Sequence, residues 1–236
     1  KVSQSTSFPY YFNLSQDKEL TFTPIIDYGG GIDSSQRFNF DFNQVLSGGN
    51  LNTNLTFDTT FENQNSEKWL KEGSLINTYN QNINEKFKLK FSSALETSKN
   101  YIQKTSPNNE LSYSSSLQTS LDIYGYNLNK IDDKLRINVT NYQSNQNGED
   151  NKTLPTILPY IEFFFGEKDI RNYKYSNNLE FYNIIRNNST DIHSKKQIKI
   201  SSLINIHKET IMYASKINFE RNIYNPKIKV FCEPQL

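Results

Sequence analysis

Pro9 and Pro24 are the residues whose type and spacing carry the plainest chemical consequence in this sequence. They stand fifteen positions apart in Ser7-Phe8-Pro9-Tyr10-Tyr11-Phe12-Asn13-Leu14-Ser15-Gln16-Asp17-Lys18-Glu19-Leu20-Thr21-Phe22-Thr23-Pro24, which reads as two short strands joined by a polar turn. Proline has no N–H and cannot donate to a sheet ladder. Two neighbouring strands that each lack a donor describe a sheet edge built to pair weakly.

Other residues with chemical capacity do not assemble into a catalytic set. His193 and His207 lie fourteen apart on strand-like segments, without a cysteine or acidic cluster at metal-ligand spacing, and read as surface or lumen histidines. Asp132-Asp133 and Glu149-Asp150 sit in turn sequence and read as solvated carboxylates, with binding of a divalent cation by loop carboxylates as the alternative. Gly29-Gly30-Gly31 follows a strand but precedes no helix, which argues against a phosphate cradle. Asn54-Leu55-Thr56, Asn138-Val139-Thr140 and Asn188-Ser189-Thr190 match the glycosylation acceptor pattern as chance in an Asn-rich chain. Trp69 reads as a loop or interface anchor. No enzyme, metal or cofactor is indicated.

The elements that must position these residues are strands. Only 35% of the 236 residues are hydrophobic, yet 14% are aromatic, with 15 Tyr and 16 Phe. Low hydrophobicity alone suggests disorder, but disordered chains lack aromatic and β-branched residues. A β-barrel in a membrane reconciles the two, because only every second strand residue need be apolar. A formal charge of +1, with lysines alternating with apolar residues, argues against a nucleic-acid partner. No apolar run of about 18 residues suggests a transmembrane helix, and no signal peptide is read. Cys232 is the one cysteine and cannot form an internal disulfide. The opening at Lys1 and the stop after Cys232-Glu233-Pro234 read as an internal fragment of a longer protein.

Period-two alternation dominates. Phe38, Phe40 and Phe42 alternate with Asn39, Asp41 and Asn43; Leu51 to Phe61 alternates with Asn52, Asn54, Thr56 and Asp58; Phe87, Leu89 and Phe91 alternate with Lys86, Lys88 and Lys90. Leu111, Tyr113, Leu117, Leu121 and Ile123 share one face, as do Leu135, Ile137 and Val139, opposite Arg136, Asn138 and Thr140. Later strands follow at Tyr173–Phe181, Ile198–Ile206 and Ile211–Phe219. Each is about ten residues long, enough for a tilted strand to cross a bilayer. About 11–13 strands are expected, without a domain boundary, and a short loop helix fits Glu62–Glu72. The fold expected is all-β, an antiparallel transmembrane β-barrel present in part. Tyr10, Tyr11, Tyr28, Tyr79, Tyr101, Tyr124, Tyr126, Tyr142, Tyr160, Tyr182 and Tyr224 lie near strand ends, as interfacial girdles would. A soluble β-sandwich alternates in the same way and remains the alternative environment.

A second proline cluster, Thr153-Leu154-Pro155-Thr156-Ile157-Leu158-Pro159-Tyr160, precedes Ile161-Glu162-Phe163-Phe164-Phe165. X-Pro favours extended backbone, so one reading is a rigid lead-in to the next strand. The other is a shaped loop folded into a lumen and carrying Pro155 and Pro159.

The stretch from Phe8-Pro9-Tyr10 through Leu20-Thr21-Phe22-Thr23-Pro24 resembles the opening of the barrel domain in the LPS-assembly family LptD, especially its alphaproteobacterial members. Glu96–Tyr101 and Leu111–Tyr126 resemble later segments in family order, and Thr153–Tyr160 resembles the family's Pro-containing "Leu-Pro" stretch. The resemblance spans Phe8 to about Phe165. It implies that residues 1–236 hold the N-terminal half of a very large outer-membrane barrel, in a Gram-negative cell, through which lipopolysaccharide passes sideways between the first and last strands. It implies lipopolysaccharide and outer-membrane lipid as partners, with an LptE-like plug lipoprotein and periplasmic bridge proteins. Pro9 and Pro24 then match the family's lateral-gate prolines. Asn39, Asp41, Asn52, Asn54, Lys86, Lys88 and Lys90 would face the lumen. The family's disulfide-forming cysteines have no counterpart here. Competing classes are a general porin or receptor barrel acting as a passive channel, an enzyme housed in a barrel, and a soluble adhesion sandwich.

Overall fold

In a strand each side chain points opposite to its neighbour, so the alternation above should sort the chain into a sheet with two unlike faces. The computed structural model describes residues 4–28, 35–60, 72–129, 132–145, 150–170, 173–187, 192–206, 209–222 and 225–235. Among them the chain is all-β and forms one antiparallel sheet. Its strands are β1 (Gln4–Ser7), β2 (Tyr10–Ser15), β3 (Lys18–Tyr28), β4 (Ser35–Leu46), β5 (Gly49–Thr60), β6 (Glu72–Asn82) and β7 (Phe87–Glu96). After a short helix α1 (Tyr101–Thr105) follow β8 (Ser116–Tyr126), β9 (Lys134–Ser144), β10 (Thr156–Ile170), β11 (Tyr173–Asn187), β12 (Ile192–Ile206), β13 (Glu209–Asn222) and β14 (Asn225–Gln235). Neighbours in sequence are neighbours in the sheet, except that β1 and β2 both pair with β3. No pairing among the described residues joins β14 back to the first strands. Gly29–Gly31, the Glu62–Glu72 helix apart from Glu72 itself, Trp69, Glu149, Asn188–Thr190, His207 and Tyr224 lie outside the described residues.

From β2 to β10 shorter and longer connections alternate: 16–17, 47–48, 83–86 and 127–133 against 29–34, 61–71, 97–115 and 145–155. Beyond β10 all are short, at 171–172, 188–191, 207–208 and 223–224. In the first hairpin the Ser15 hydroxyl donates to Asp17 at 2.5 Å and holds that carboxyl below its ordinary value. At 47–48 the turn needs a left-handed residue, which Gly48 supplies at φ 85°.

The chain packs as two compact units. The first comprises residues 1–81, 91–119 and 143–149. One face of its sheet is an aromatic ladder. Tyr10 lies 6.4 Å from Phe22, Phe22 4.8 Å from Phe40, and Phe38 5.3 Å from Phe57. The opposite face carries Asn39, Asp41, Asn54 and Thr56, in register as Asn39 with Thr56 and Asp41 with Asn54. Against this polar face folds a strap, residues 97–115. Ile76, opposite Asn54 in register, packs with Leu111 against a buried cluster of Ala94, Ile102 and Leu117. The strap is tied down by polar bonds. Glu96, 5% exposed, accepts from the Asn100 and Ile102 amides at 3.0 and 3.1 Å, and Gln143 brackets the Glu96 peptide at 3.0 and 2.6 Å. Arg37 donates to the Thr105 carbonyl at 3.3 Å. Gly73 allows the close approach of β6, since a Cβ there would sit 2.8 Å from the Thr56 carbonyl.

The strap corrects two expectations. Leu111 and Tyr113 do not open a strand: Glu110–Tyr113 is a one-turn 3-10 helix capped by Asn109, and β8 starts at Ser116. Leu111 packs inward while Tyr113 is 78% exposed, so helical spacing replaced the period of two. Tyr101 is no girdle residue either. It is fully buried in α1 beside Asp58 and Arg37.

The second unit comprises residues 82–90, 120–142 and 150–236. On one face Leu135, Ile137, Ile161, Phe163, Leu179 and Phe181 share register columns. On the other, Arg136, Glu162 and Glu180 form one column, and Asn138, Tyr160 and Tyr182 the next. The columns continue in backbone register to Lys199 and Lys216 and to Gln197 and Asn218.

Leu117→Ala should lower unfolding free energy by about 2–5 kcal/mol, the usual cost of emptying a closed aliphatic site, as read by urea titration. Burial, reinforced by Asp58, raises the Tyr101 phenol above its ordinary value. The folded state therefore holds that proton more tightly than the unfolded chain, which releases it near about pH 10. Stability should be intact below that pH and fall as pH climbs beyond it, and Tyr101→Phe should remove this dependence.

Candidate functional site

The edge formed by β1, β2 and β3 positions the two prolines. β1 pairs Gln4 with Tyr28 and Ser7 with Ile25; β2 pairs Tyr10 with Phe22 and Asn13 with Glu19. The register is therefore the same on both sides of Phe8-Pro9, and β1 and β2 make one first stave interrupted at Pro9. Counted so, the sheet is 13 strands wide, within the expected range.

Across the interruption Phe8 faces Pro24. The Phe8 amide donates to the Pro24 carbonyl at 3.1 Å. In an antiparallel ladder such a pair exchanges two bonds, but Pro24 has no hydrogen to return. Pro24 thus removes one rung between the first stave and β3. Pro9 stands opposite Thr23, one residue out of phase, so its nitrogen points away from β3. Its missing donor lies on the open edge of the sheet. The two prolines act on opposite sides of the same stave, whereas the sequence alone placed both in one seam. Around them Phe8, Tyr10, Tyr11, Phe12 and Leu14 are all about half exposed or more.

Of the polar residues expected on one face, the structure gathers Asn39, Asp41 and Asn54. Asn39 donates to Asp41 at 2.7 Å, Asn54 donates to Asn39 at 3.0 Å and also to Asp41, and Thr56 donates to Asn39 at 2.9 Å. Asn52 is exposed and faces Asn43, which donates to Glu19 at 3.1 Å. These groups largely satisfy one another. Lys86, Lys88 and Lys90 are exposed and belong to the second unit; Lys86 donates to the Leu128 carbonyl at 3.2 Å.

The proline-rich stretch is divided between a connection and a strand. Pro155 directly precedes β10, and Pro159 lies inside it, at a register shift between Ile157 and Tyr160 against both β9 and β11. The shift lets β10 carry a residue that cannot donate, as bulges do. Asp133 is not solvated: it is 3% exposed and accepts from the Gly166 amide at 2.8 Å. Asp132 and Asp150 are exposed. His193 falls on β12 and Cys232 on β14. No group of three His, Cys, Asp or Glu residues suited to a metal occurs among the described residues.

Sequence reasoning missed a polar cluster in the second unit. Asp122, 6% exposed, accepts from Arg136 Nε and Nη2 at 3.1 and 3.0 Å and from Asn138 at 3.0 Å. Thr140 donates to Asn138 at 2.8 Å. Tyr160 donates to Glu162 at 2.9 Å and Tyr182 to Glu180 at 2.5 Å, with the two rings 4.7 Å apart. Asn178 donates to Glu180 at 2.9 Å. Tyr160 and Tyr182 thus belong to the polar face, not to an outer girdle. The alternation of Arg136, Asn138 and Thr140 was a visible signal; the pairing of Glu162 with Glu180 depends on register between distant segments.

Pro24→Ala should restore the missing rung and stabilise the first stave by about 0.5–1.5 kcal/mol. Hydrogen exchange should show a newly protected amide at position 24. Pro9→Ala should leave that ladder unchanged and add an exposed, fast-exchanging amide.

No helix among the described residues is long and apolar enough to cross a membrane, which says nothing about strands. No protein-family model matches the chain, and no curated protein matches it.

Proposed function

We propose that this chain is part of an outer-membrane barrel of the LPS-assembly type, and that the first stave borders a lateral gate through which lipopolysaccharide leaves. The observation that carries the reading is the placement of the two prolines. One thins the ladder that holds the first stave to β3, and the other bares its free edge of a donor. A seam with fewer N–H groups opens at lower cost, because each unpaired donor facing hydrocarbon is expensive. The sheet supports the reading in general form: strands long enough to span, with an aromatic face beside a polar one. The membrane location, the lipid cargo and any plug lipoprotein belong to this proposal and come from the resemblance.

A second reading, a passive porin or receptor barrel, is favoured by the alternation of connection lengths from β2 to β10. In an antiparallel meander alternate connections share an end, and bacterial barrels keep short turns on the periplasmic side. That rule would put the turns at 47–48 and 83–86 in the periplasm and the start of the first stave outside. The transport reading puts the start of the first stave in the periplasm.

Replacing Pro9 and Pro24 together by alanine in the full-length parent should slow lipopolysaccharide arrival at the cell surface. Unchanged arrival with intact folding would sink the gate. Separately, a Cys232→Ser protein carrying a cysteine at Ser47 should react with a membrane-impermeant maleimide on intact cells under the transport reading, and should stay unlabelled under the passive one.

A further inference from the structure

The second unit carries a basic and aromatic surface that the gate does not use. The Tyr126 amide donates to the Lys86 carbonyl at 2.8 Å, which places Lys86 opposite Tyr126 and, two residues on, Lys88 opposite Tyr124. The Asn127 amide donates to the Asp133 carbonyl at 2.8 Å, which places Tyr126 opposite Lys134 and Tyr124 opposite Arg136. The Arg136 guanidinium lies 5.6 Å from the Tyr124 ring centre, as this register requires. Lys88, Tyr124 and Arg136 therefore form one row across three strands, about 10 Å from first to last, and Tyr126 and Lys134 flank it. The rings of Tyr124 and Tyr126 are 6.5 Å apart and 13° from parallel.

This surface has unused capacity. Lys88 and Lys134 are exposed and have no carboxylate partner among the described residues. Arg136 spends Nε and Nη2 on the buried Asp122, yet its side chain is 42% exposed, and no acceptor among the described residues takes Nη1. The facing acids do not neutralise the lysines. Glu162 and Glu180 are engaged by Tyr160, Tyr182 and Asn178, and Asp133 by Gly166. Asp132 and Glu85 are exposed acids in the turns at the end of this row.

We propose that Lys88, Lys134 and Arg136 bind the phosphate of a phosphorylated saccharide, with Tyr124 and Tyr126 as the platform for its sugar ring. Two ammonium groups and a guanidinium within reach of one point suit a phosphate, which takes several charge-assisted bonds at once. Near-parallel phenol rings offer an apolar face with polar rims, which suits a pyranose better than a bare anion. Asp122 fixes the guanidinium plane, so the site is set before the ligand arrives. The choice of a sugar as the phosphate's carrier rests on the transport reading; the site itself rests on the register and contacts of this unit.

The test is calorimetric titration of the detergent-purified protein with glucose 1-phosphate, inorganic phosphate and glucose. Glucose 1-phosphate should bind more tightly than either of the others. Lys88→Gln with Lys134→Gln, both exposed and outside the packed cluster, should weaken it roughly tenfold or more. Tyr124→Leu should remove the advantage over inorganic phosphate while phosphate itself still binds. Lys18→Gln, in the first unit, should change nothing. Folded protein that ignores glucose 1-phosphate, that binds inorganic phosphate equally well, or that is indifferent to the double lysine change overturns the site. Lipopolysaccharide arrival in the proline variant, read beside the titration of the unchanged protein, separates the two ideas. Proline-dependent export in a protein that ignores glucose 1-phosphate defeats the site alone, whereas glucose 1-phosphate binding with proline-independent export defeats the gate alone.

Discussion

Everything in this chain depends on a constraint of the backbone: in an antiparallel ladder, N–H and C=O of one residue point to one neighbour and those of the next to the other. The same pleat sends successive side chains to opposite faces. Register therefore decides at once which groups hydrogen-bond and which side chains meet. Phe22, Phe40 and Phe57 touch because β3, β4 and β5 are in step. Asp41 meets Asn54 for the same reason. A slip by one residue would exchange the aromatic and polar faces.

That constraint explains what could be read from the sequence. Where period-two alternation is strict, as from Phe38 to Phe57, from Leu135 to Thr140 and from Ile198 to Ile217, strands lie where the pattern puts them. It fails where residues leave the ladder. Leu111 and Tyr113 alternate on paper, but Asn109 caps a 3-10 turn and the segment folds over the sheet. Tyr101 has the composition of an interface residue and ends up buried, because the strap needs a large side chain over Asp58 and Arg37.

The candidate sites were legible in kind and not in arrangement. The prolines were visible, but which side of the stave each affects depends on phase, and phase appears only once Phe8 is seen to donate to Pro24. The lysines at 88 and 90 were visible on one face, yet their neighbours come from segments more than thirty residues away. Glu162 and Glu180 oppose each other across β10 and β11, which like-charge arguments from sequence would discourage. Tyrosine hydroxyls and an asparagine amide make that pairing tolerable.

Pro24 removes a donor, but it also leaves something behind. The Phe8 carbonyl faces a ring nitrogen with no hydrogen, so one acceptor in the middle of the ladder must find its partner elsewhere. One substitution thus costs this join twice, in the donor that is gone and in the acceptor that must be satisfied from outside the ladder.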